Sequence, residues 1–386
     1  MEKQGKINNT KQSVYIHIPF CEHICEYCDF NKVFLEGQPV DEYIDLLLRE
    51  IDLTVKKIPN TGIKTIYIGG GTPTSLNVKQ MEHLLKGVNS LLSLAERSEF
   101  TIEVNPGDLT QEKLLLMQEF GVNRLSLGVQ TLKDDLLRKI GRHHTVQDIF
   151  QTLDMLKRED FKNVSIDLIY ALPDQTRQDW EKTLDLALSF DLPHYSLYSL
   201  ILENHTMFMN RVRCGQLILP SEDRQADLFE VALERMEQYD LEHYEISNFA
   251  KDGFQSQHNL VYWNNENYFG FGAGASGYVG DVRYKNHGPI QHYLNSLRNF
   301  ELPVVTRKSL SIKNQIEEEM FLGLRKLQGV SKRIFFEKFG VNFSEIYGEI
   351  AANLVEKELL FEDDKKVSLS EKGLLLGNFV FEKFLL

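Results

Sequence analysis

The chain has 386 residues, 42% hydrophobic and 26% charged, enough for two or three folding units around a sizeable core. Its net charge of −13 repels polyphosphate, which argues against a nucleic acid as main partner. No apolar run reaches the roughly 18 residues of a membrane span, and the polar stretch Met1–Lys11 has no signal-peptide core.

Along the chain, β-rich runs come first: Val14–Ile18, Lys64–Ile68, Phe100–Val104, Arg124–Gly128, Val164–Leu168 and Tyr195–Ser199. Amphipathic stretches alternate with them: Asp41–Val55, Val78–Leu94, Gln111–Phe120, Thr145–Arg158 and Arg177–Phe190. Six strands, each leading into a helix, predict an α/β fold, a parallel sheet curled into a partial (β/α)6 TIM-type barrel. Reactive groups then belong at the C-terminal ends of the strands. Three cysteines follow the first strand, Gly69-Gly70-Gly71-Thr72-Pro73 the second, and Glu103 closes the third. Gln130 ends the fourth, and Asp167 with Gln175 flanks the end of the fifth. After about residue 203 a helix is expected over Glu222–Tyr239 and a strand over His243–Ala250, then a Gly- and aromatic-rich stretch from His258 to Lys285. Three helical patterns and a hairpin near Leu359–Ser370 suggest a winged-helix-like module; its 11 basic against 13 acidic residues favour docking over DNA reading. The expected units are a barrel over 1–205, an α/β extension over 206–305 and the module over 306–386.

Of four cysteines, Cys21, Cys25 and Cys28 lie on one short loop and Cys214 stands apart. Too few for a disulfide scaffold, they indicate a reducing, cytoplasmic compartment and a metal or redox site. Thiolates suit iron–sulfur clusters or zinc. A structural zinc site wants four ligands, and the nearest fourth candidate, His23, lies in the same loop. A cluster on three cysteines leaves one iron open. The glycine run lacks the Gly-Lys-Ser/Thr ending of a phosphate loop; by itself it is a turn that lets a ligand reach the backbone. Glu103 and Asp167 read equally well as solvated carboxylates.

The loop's flanks, Tyr15-Ile-His17-Ile-Pro19-Phe20-Cys21 and Cys25-Glu-Tyr27-Cys28-Asp-Phe30, resemble the radical S-adenosylmethionine enzymes. The narrower resemblance is to the branch of oxygen-independent coproporphyrinogen III oxidases and HemW-type heme chaperones. It implies a [4Fe–4S] cluster on Cys21, Cys25 and Cys28, with S-adenosylmethionine at the open iron. Tyr27 would contact adenine, and Gly70, Gly71 and Thr72 would receive the methionyl amino group. Tyr15, Glu103, Gln130, Arg142, Asp167 and Ala275 match further ligand-binding positions. An arginine is apt there because its fork grips two carboxylate oxygens. His143 and His144 would line the same site.

Two features favour the chaperones over the oxidases: only 14 residues precede Tyr15, and Cys28-Asp29-Phe30-Asn31 lacks the oxidase's further cysteine. His258-Asn259-Leu-Val-Tyr262-Trp263 matches a motif implicated in heme binding, with an imidazole for iron and flat apolar area for a porphyrin. Taken as residues alone, the same segment is an ordinary histidine among core aromatics. The expected function is a heme chaperone that passes heme to an acceptor such as a respiratory cytochrome. Docking on a membrane acceptor and a homodimer are left open. The alternative is a coproporphyrinogen III oxidase that oxidatively decarboxylates porphyrinogen propionates.

Overall fold

The computed structural model describes residues 12–56 and 62–386; Met1–Lys11, where no signal was expected, lies outside them. The first half repeats a strand–helix unit six times. Strands β1 (Gln12–Ile18), β2 (Ile63–Gly70), β3 (Leu94–Val104), β4 (Arg124–Gln130), β5 (Val164–Tyr170) and β6 (His194–Ser199) pair side by side, all parallel. Every residue of β4 is buried, as expected of a parallel strand covered on both faces. Between them run α1 (Val40–Val55), α2 (Val78–Leu91), α3 (Gln111–Glu119), α4 (Asp134–Lys139), α5 (Val146–Arg158) and α6 (Arg177–Leu188). Reciprocal capping boxes start α2 at Asn77, α5 at Thr145 and α6 at Thr176.

Two elements depart most from the sequence reading. The helix expected to reach Leu94 stops at Leu91, because Ile63 N–H already donates to Ser93 O and draws the chain into β3. Strand β3 therefore starts six residues before Phe100. The run His243–Ala250 is a hairpin, not one strand: β7 (Glu242–Glu245) turns into β8 (Asn248–Ala250), and β8 pairs antiparallel with β6.

The Gly- and aromatic-rich stretch supplies what periodicity did not reveal. After α7 (Met207–Arg213), α8 (Glu222–Glu237) and α9 (Gln257–Trp263), strand β9 (Tyr268–Phe271) returns to lie parallel against β1. Strands β10 (Ser276–Val279), β11 (Val282–Asn286) and β12 (Val304–Ser309) extend that edge antiparallel, around α10 (Ile290–Arg298). One sheet of twelve strands results, in the order β12-β11-β10-β9-β1-β2-β3-β4-β5-β6-β8-β7. The segment expected as a separate extension over 206–305 thus shares the barrel's core: Phe249, Phe269, Phe271, Tyr293 and Leu294 belong to the same buried cluster as Val14 and Leu127. Its strands had to join the sheet to satisfy their backbone groups.

The last segment has its own core, built on Met320, Phe335, Phe343, Tyr347 and Phe384. It contains α11 (Ile312–Gly323), a short β13 (Val330–Ser331), α12 (Lys332–Phe339), α13 (Phe343–Glu356) and the hairpin of β14 (Leu360–Glu362) and β15 (Lys366–Leu369). Two short helices, α14 (Glu371–Leu375) and α15 (Gly377–Glu382), close it. Strand β12 straddles the boundary expected at 305/306. No described helix is long and apolar enough to cross a membrane.

Candidate functional site

The cysteine loop leaves β1 through Pro19, and a two-residue parallel pairing of Phe20–Cys21 with Val33–Phe34 pins its two ends together. Leu35 N–H donates to Cys21 O at 2.9 Å, and Lys32 Nζ donates to Cys28 O at 2.5 Å, so the loop is held at both shoulders. From outside, Glu26 pairs with Arg211 of α7 at 2.6 Å. All three cysteines face one cavity of about 340 Å³ that runs down the inside of the sheet. Burial pushes the Cys21 thiol up, with a hydrogen bond from Thr72 Oγ1 at 3.6 Å opposing, and pushes Cys28 up to about 11, with Lys32 opposing. Buried thiols resist ionisation until a cation shares their site, so this donor set suits a thiolate-bound iron cluster.

Tyr27, Gly70, Gly71, Thr72, Glu103, Gln130, Arg142 and Asp167 line the same cavity. Glu103 is held by two donors: Gly70 N–H at 2.9 Å and Tyr67 O–H at 2.8 Å. Its carboxylate stands 2.7 Å from where a Cβ on Gly69 would be, so only glycine lets β2 pass there. Burial pushes Glu103 up to about 7, with those two hydrogen bonds opposing. Asp167 is pushed up to about 6 by burial, with Ser196 and Ser126 opposing. It sits mid-strand, three residues before the end of β5, and not at the strand end as the sequence suggested. Gln130 adopts φ 66° at the end of β4, and its side-chain amide and the Arg142 guanidinium both close on Gly128, where a Cβ would meet them at 2.9 and 2.8 Å.

Arg142 Nη1 donates to Asn105 Oδ1 at 2.9 Å, and Asn105 donates to Thr72 Oγ1 at 3.2 Å. This chain joins the glycine loop, the end of β3 and the α4–α5 connection, and pattern reading missed its central member, Asn105. Burial works against the charge of Arg142, yet Tyr27, Cys25 and Cys28 beside it hold its pKa above the ordinary value. Its buried Nε has no partner among the described residues, a spare donor on a side chain that lines the cavity.

Several expected residues stand elsewhere. The Tyr15 hydroxyl bonds His17 Nδ1 at 3.0 Å, and its ring stacks on Tyr67, so it reaches the cavity only through Tyr67 and Glu103. Ala275 is buried in the β9–β10 connection, where its N–H donates to Gly272 O, and it does not line the cavity. Gln175 caps the turn after β5 by accepting from Leu172 N–H at 3.2 Å. His143, outside the main cavity, stacks on His23, which lines it, with ring centres 3.3 Å apart, and His144 is pushed down to about 4 by burial and then by Arg142.

In the His258–Trp263 segment, which forms α9, only Asn259 lines the cavity. His258 is 1% exposed, and both ring nitrogens are engaged: Nδ1 with Thr65 Oγ1 and Nε2 with Tyr262 O–H, each at 2.8 Å. Burial pushes its pKa down to about 3, leaving a neutral ring that braces α9 against β2. Tyr262 packs edge-on to Tyr268, and Trp263 lies under the guanidinium of Arg325 from the C-terminal segment. As folded here, His258 has no free nitrogen to offer an iron.

Comparison with known proteins matches this arrangement to families. Residues 15–187 match the radical SAM superfamily, and residues 310–376 match the HemN C-terminal domain. The superfamily implies a [4Fe–4S] cluster and S-adenosylmethionine. In the solved structure of coproporphyrinogen III oxidase (HemN) from Escherichia coli the fold recurs with a TM-score of 0.84 over 98% of this chain and 91% of that one, at 23% identity. "Heme chaperone HemW" of Bacillus subtilis (strain 168) is 48% identical over 97% of this chain and 99% of the relative. The protein of that name from Escherichia coli (strain K12) is 38% identical over 97% and 98%. By full-length identity on a radical SAM barrel, the chain belongs to the HemW family.

Proposed function

We propose that this protein is a cytoplasmic heme chaperone that binds heme and hands it to an acceptor protein such as a respiratory cytochrome. The observation that carries this is end-to-end identity of 48% and 49% with relatives named as heme chaperones. The oxidase alternative rests on a 23% identical structure, which speaks for the fold alone.

In this reading Cys21, Cys25 and Cys28 hold the [4Fe–4S] cluster, which supplies a redox-active iron with one open position. Tyr27, Gly70, Gly71, Thr72, Gln130 and Arg142 surround S-adenosylmethionine, Arg142 gripping its carboxylate with a fork anchored by Asn105. Glu103 and Asp167 offer negative charge to a cationic ligand in a buried site. Tyr15 acts through Tyr67, and Ala275 through the loop it packs. Asn259, Tyr262 and Trp263 remain candidates for heme contact, with His258 as their brace. A homodimer and transient docking on a membrane-bound acceptor belong to the same proposal.

Heme added to the anaerobically reconstituted protein should give a saturable Soret band, with about four iron and four sulfide per chain before heme is added. No heme binding at micromolar levels, or conversion of coproporphyrinogen III, would overturn the chaperone reading.

A further inference from the structure

The cavity does not end beneath the cysteine loop. Its lining runs from Gln130, last residue of β4, to Arg124, the first, a depth of about 20 Å at the usual rise of a strand. The cysteines, glycines and Arg142 occupy the upper part. The lower part is walled by hydroxyls: Thr101, Ser126, Ser165 and Ser196.

Arg124 is 2% exposed and has no ion pair with any described carboxylate. A guanidinium has five N–H donors. Two are spent, both on Nη1, which donates to Asn163 Oδ1 at 2.8 Å and to Phe254 O at 2.9 Å. Those on Nε and Nη2 have no acceptor among the described residues and belong to a side chain that lines the cavity. Asp167, the cavity carboxylate on the neighbouring strand, is engaged by Ser126 at 3.0 Å and lies beyond ion-pair distance. The other walls repeat the pattern. Thr101, the register partner of Arg124 on β3, has a fully buried hydroxyl without a partner among the described residues. Asn259 lines the cavity from α9, and its side chain makes no hydrogen bond among the described residues. A buried cation, an orphan hydroxyl and a free amide thus face one chamber, where an unpaired charge costs several kcal/mol.

We propose that this lower chamber is a binding site for a small carboxylate of formate or acetate size, held by the fork of Arg124 with Thr101 and Asn259 beside it. The fork matches two carboxylate oxygens in a plane, and a hydroxyl and an amide supply further donors. The site is distinct from the nucleotide site above, and it gives Asn259 a task apart from heme.

Sodium acetate, added at constant ionic strength against sodium chloride, tests this on the full-length protein. Acetate should raise the melting temperature saturably, and chloride should not. Thr101→Val, which keeps Arg124 and its anchors, should weaken acetate about fivefold, the value of one hydrogen bond. Arg124→Gln should abolish saturation. Should Arg124→Gln fail to fold, Asn259→Leu joins Thr101→Val as the arm to read. Equal effects of acetate and chloride, or an acetate response unchanged in Thr101→Val and Asn259→Leu, would overturn the proposal.

Discussion

At the scale of single residues, the site combines groups that composition could never have paired. Glu103 and Asp167 are carboxylates whose burial favours the neutral form, to about 7 and about 6. Their raised values fix the sign of two effects. In the ligand-free protein their contribution to stability is present below their ordinary range and is lost as pH rises through 6 to 7. Binding a cationic amino group runs the other way, because it needs the charge. Affinity for S-adenosylmethionine should therefore fall as pH drops from 8 to 6, and Glu103→Gln should weaken binding at pH 8 and flatten that profile. Anaerobic equilibrium dialysis at the two pH values checks it; a Glu103→Gln profile as steep as wild type would assign the dependence elsewhere. His258 makes a separate residue-scale prediction. His258→Ala leaves Thr65 and Tyr262 unpaired in the core and should cost about 2–4 kcal/mol, read from a urea midpoint. Lost heme affinity at unchanged stability would instead mark the ring as a ligand.

Among elements, α1 is tied to the returning sheet edge by a carboxyl group in the core. Glu50 accepts from Tyr293 O–H and Asn286 Nδ2, each at 2.6 Å, and from Gly272 N–H at 2.9 Å. Its three partners lie on α10, β11 and the end of β9, so one carboxylate joins elements more than 200 residues apart. Burial pushes it up to about 7, with those hydrogen bonds opposing. Stability from this group is full below pH 4.5 and lost as pH rises through about 7. Relative to wild type, Glu50→Gln should therefore gain about 3 kcal/mol between pH 4.5 and pH 8, whatever its absolute cost. Parallel pH-dependent denaturation curves for the two proteins would contradict it. The tie also explains why the 206–305 segment is part of the barrel.

On the scale of the molecule, the twelve-stranded sheet and the C-terminal segment are built on separate cores. The C-terminal segment meets the sheet through short backbone links, Ile246 N–H to Arg325 O at 3.0 Å and Leu327 N–H to Tyr244 O at 3.1 Å, and through Arg325 over Trp263. Phe335 is fully buried in the smaller core only. Phe335→Ala should cost that unit about 3–5 kcal/mol and separate a low-temperature transition from the barrel's in calorimetry. Iron content should stay at the wild-type value; its loss would show that the two cores unfold as one.

By itself, the sequence determined the repeat of strand and helix, because hydrophobic period is a local property, and the cysteine loop, because ligand spacing lies within eight residues. The residues lining the upper cavity were legible for a related reason: Gly70, Glu103 and Gln130 close strands that a parallel sheet must bring to one rim. Tertiary structure alone decided what depends on distant partners. It turned a glycine- and aromatic-rich stretch into a seventh parallel strand against β1, since edge pairing is a contact between residues as far apart in sequence as Ser13 and Tyr268. It made His258 a brace by surrounding both nitrogens, and left Arg124 with donors to spare inside the barrel. Burial and partner count set the charge and the free valence of a side chain, and neither is written in its neighbours along the chain.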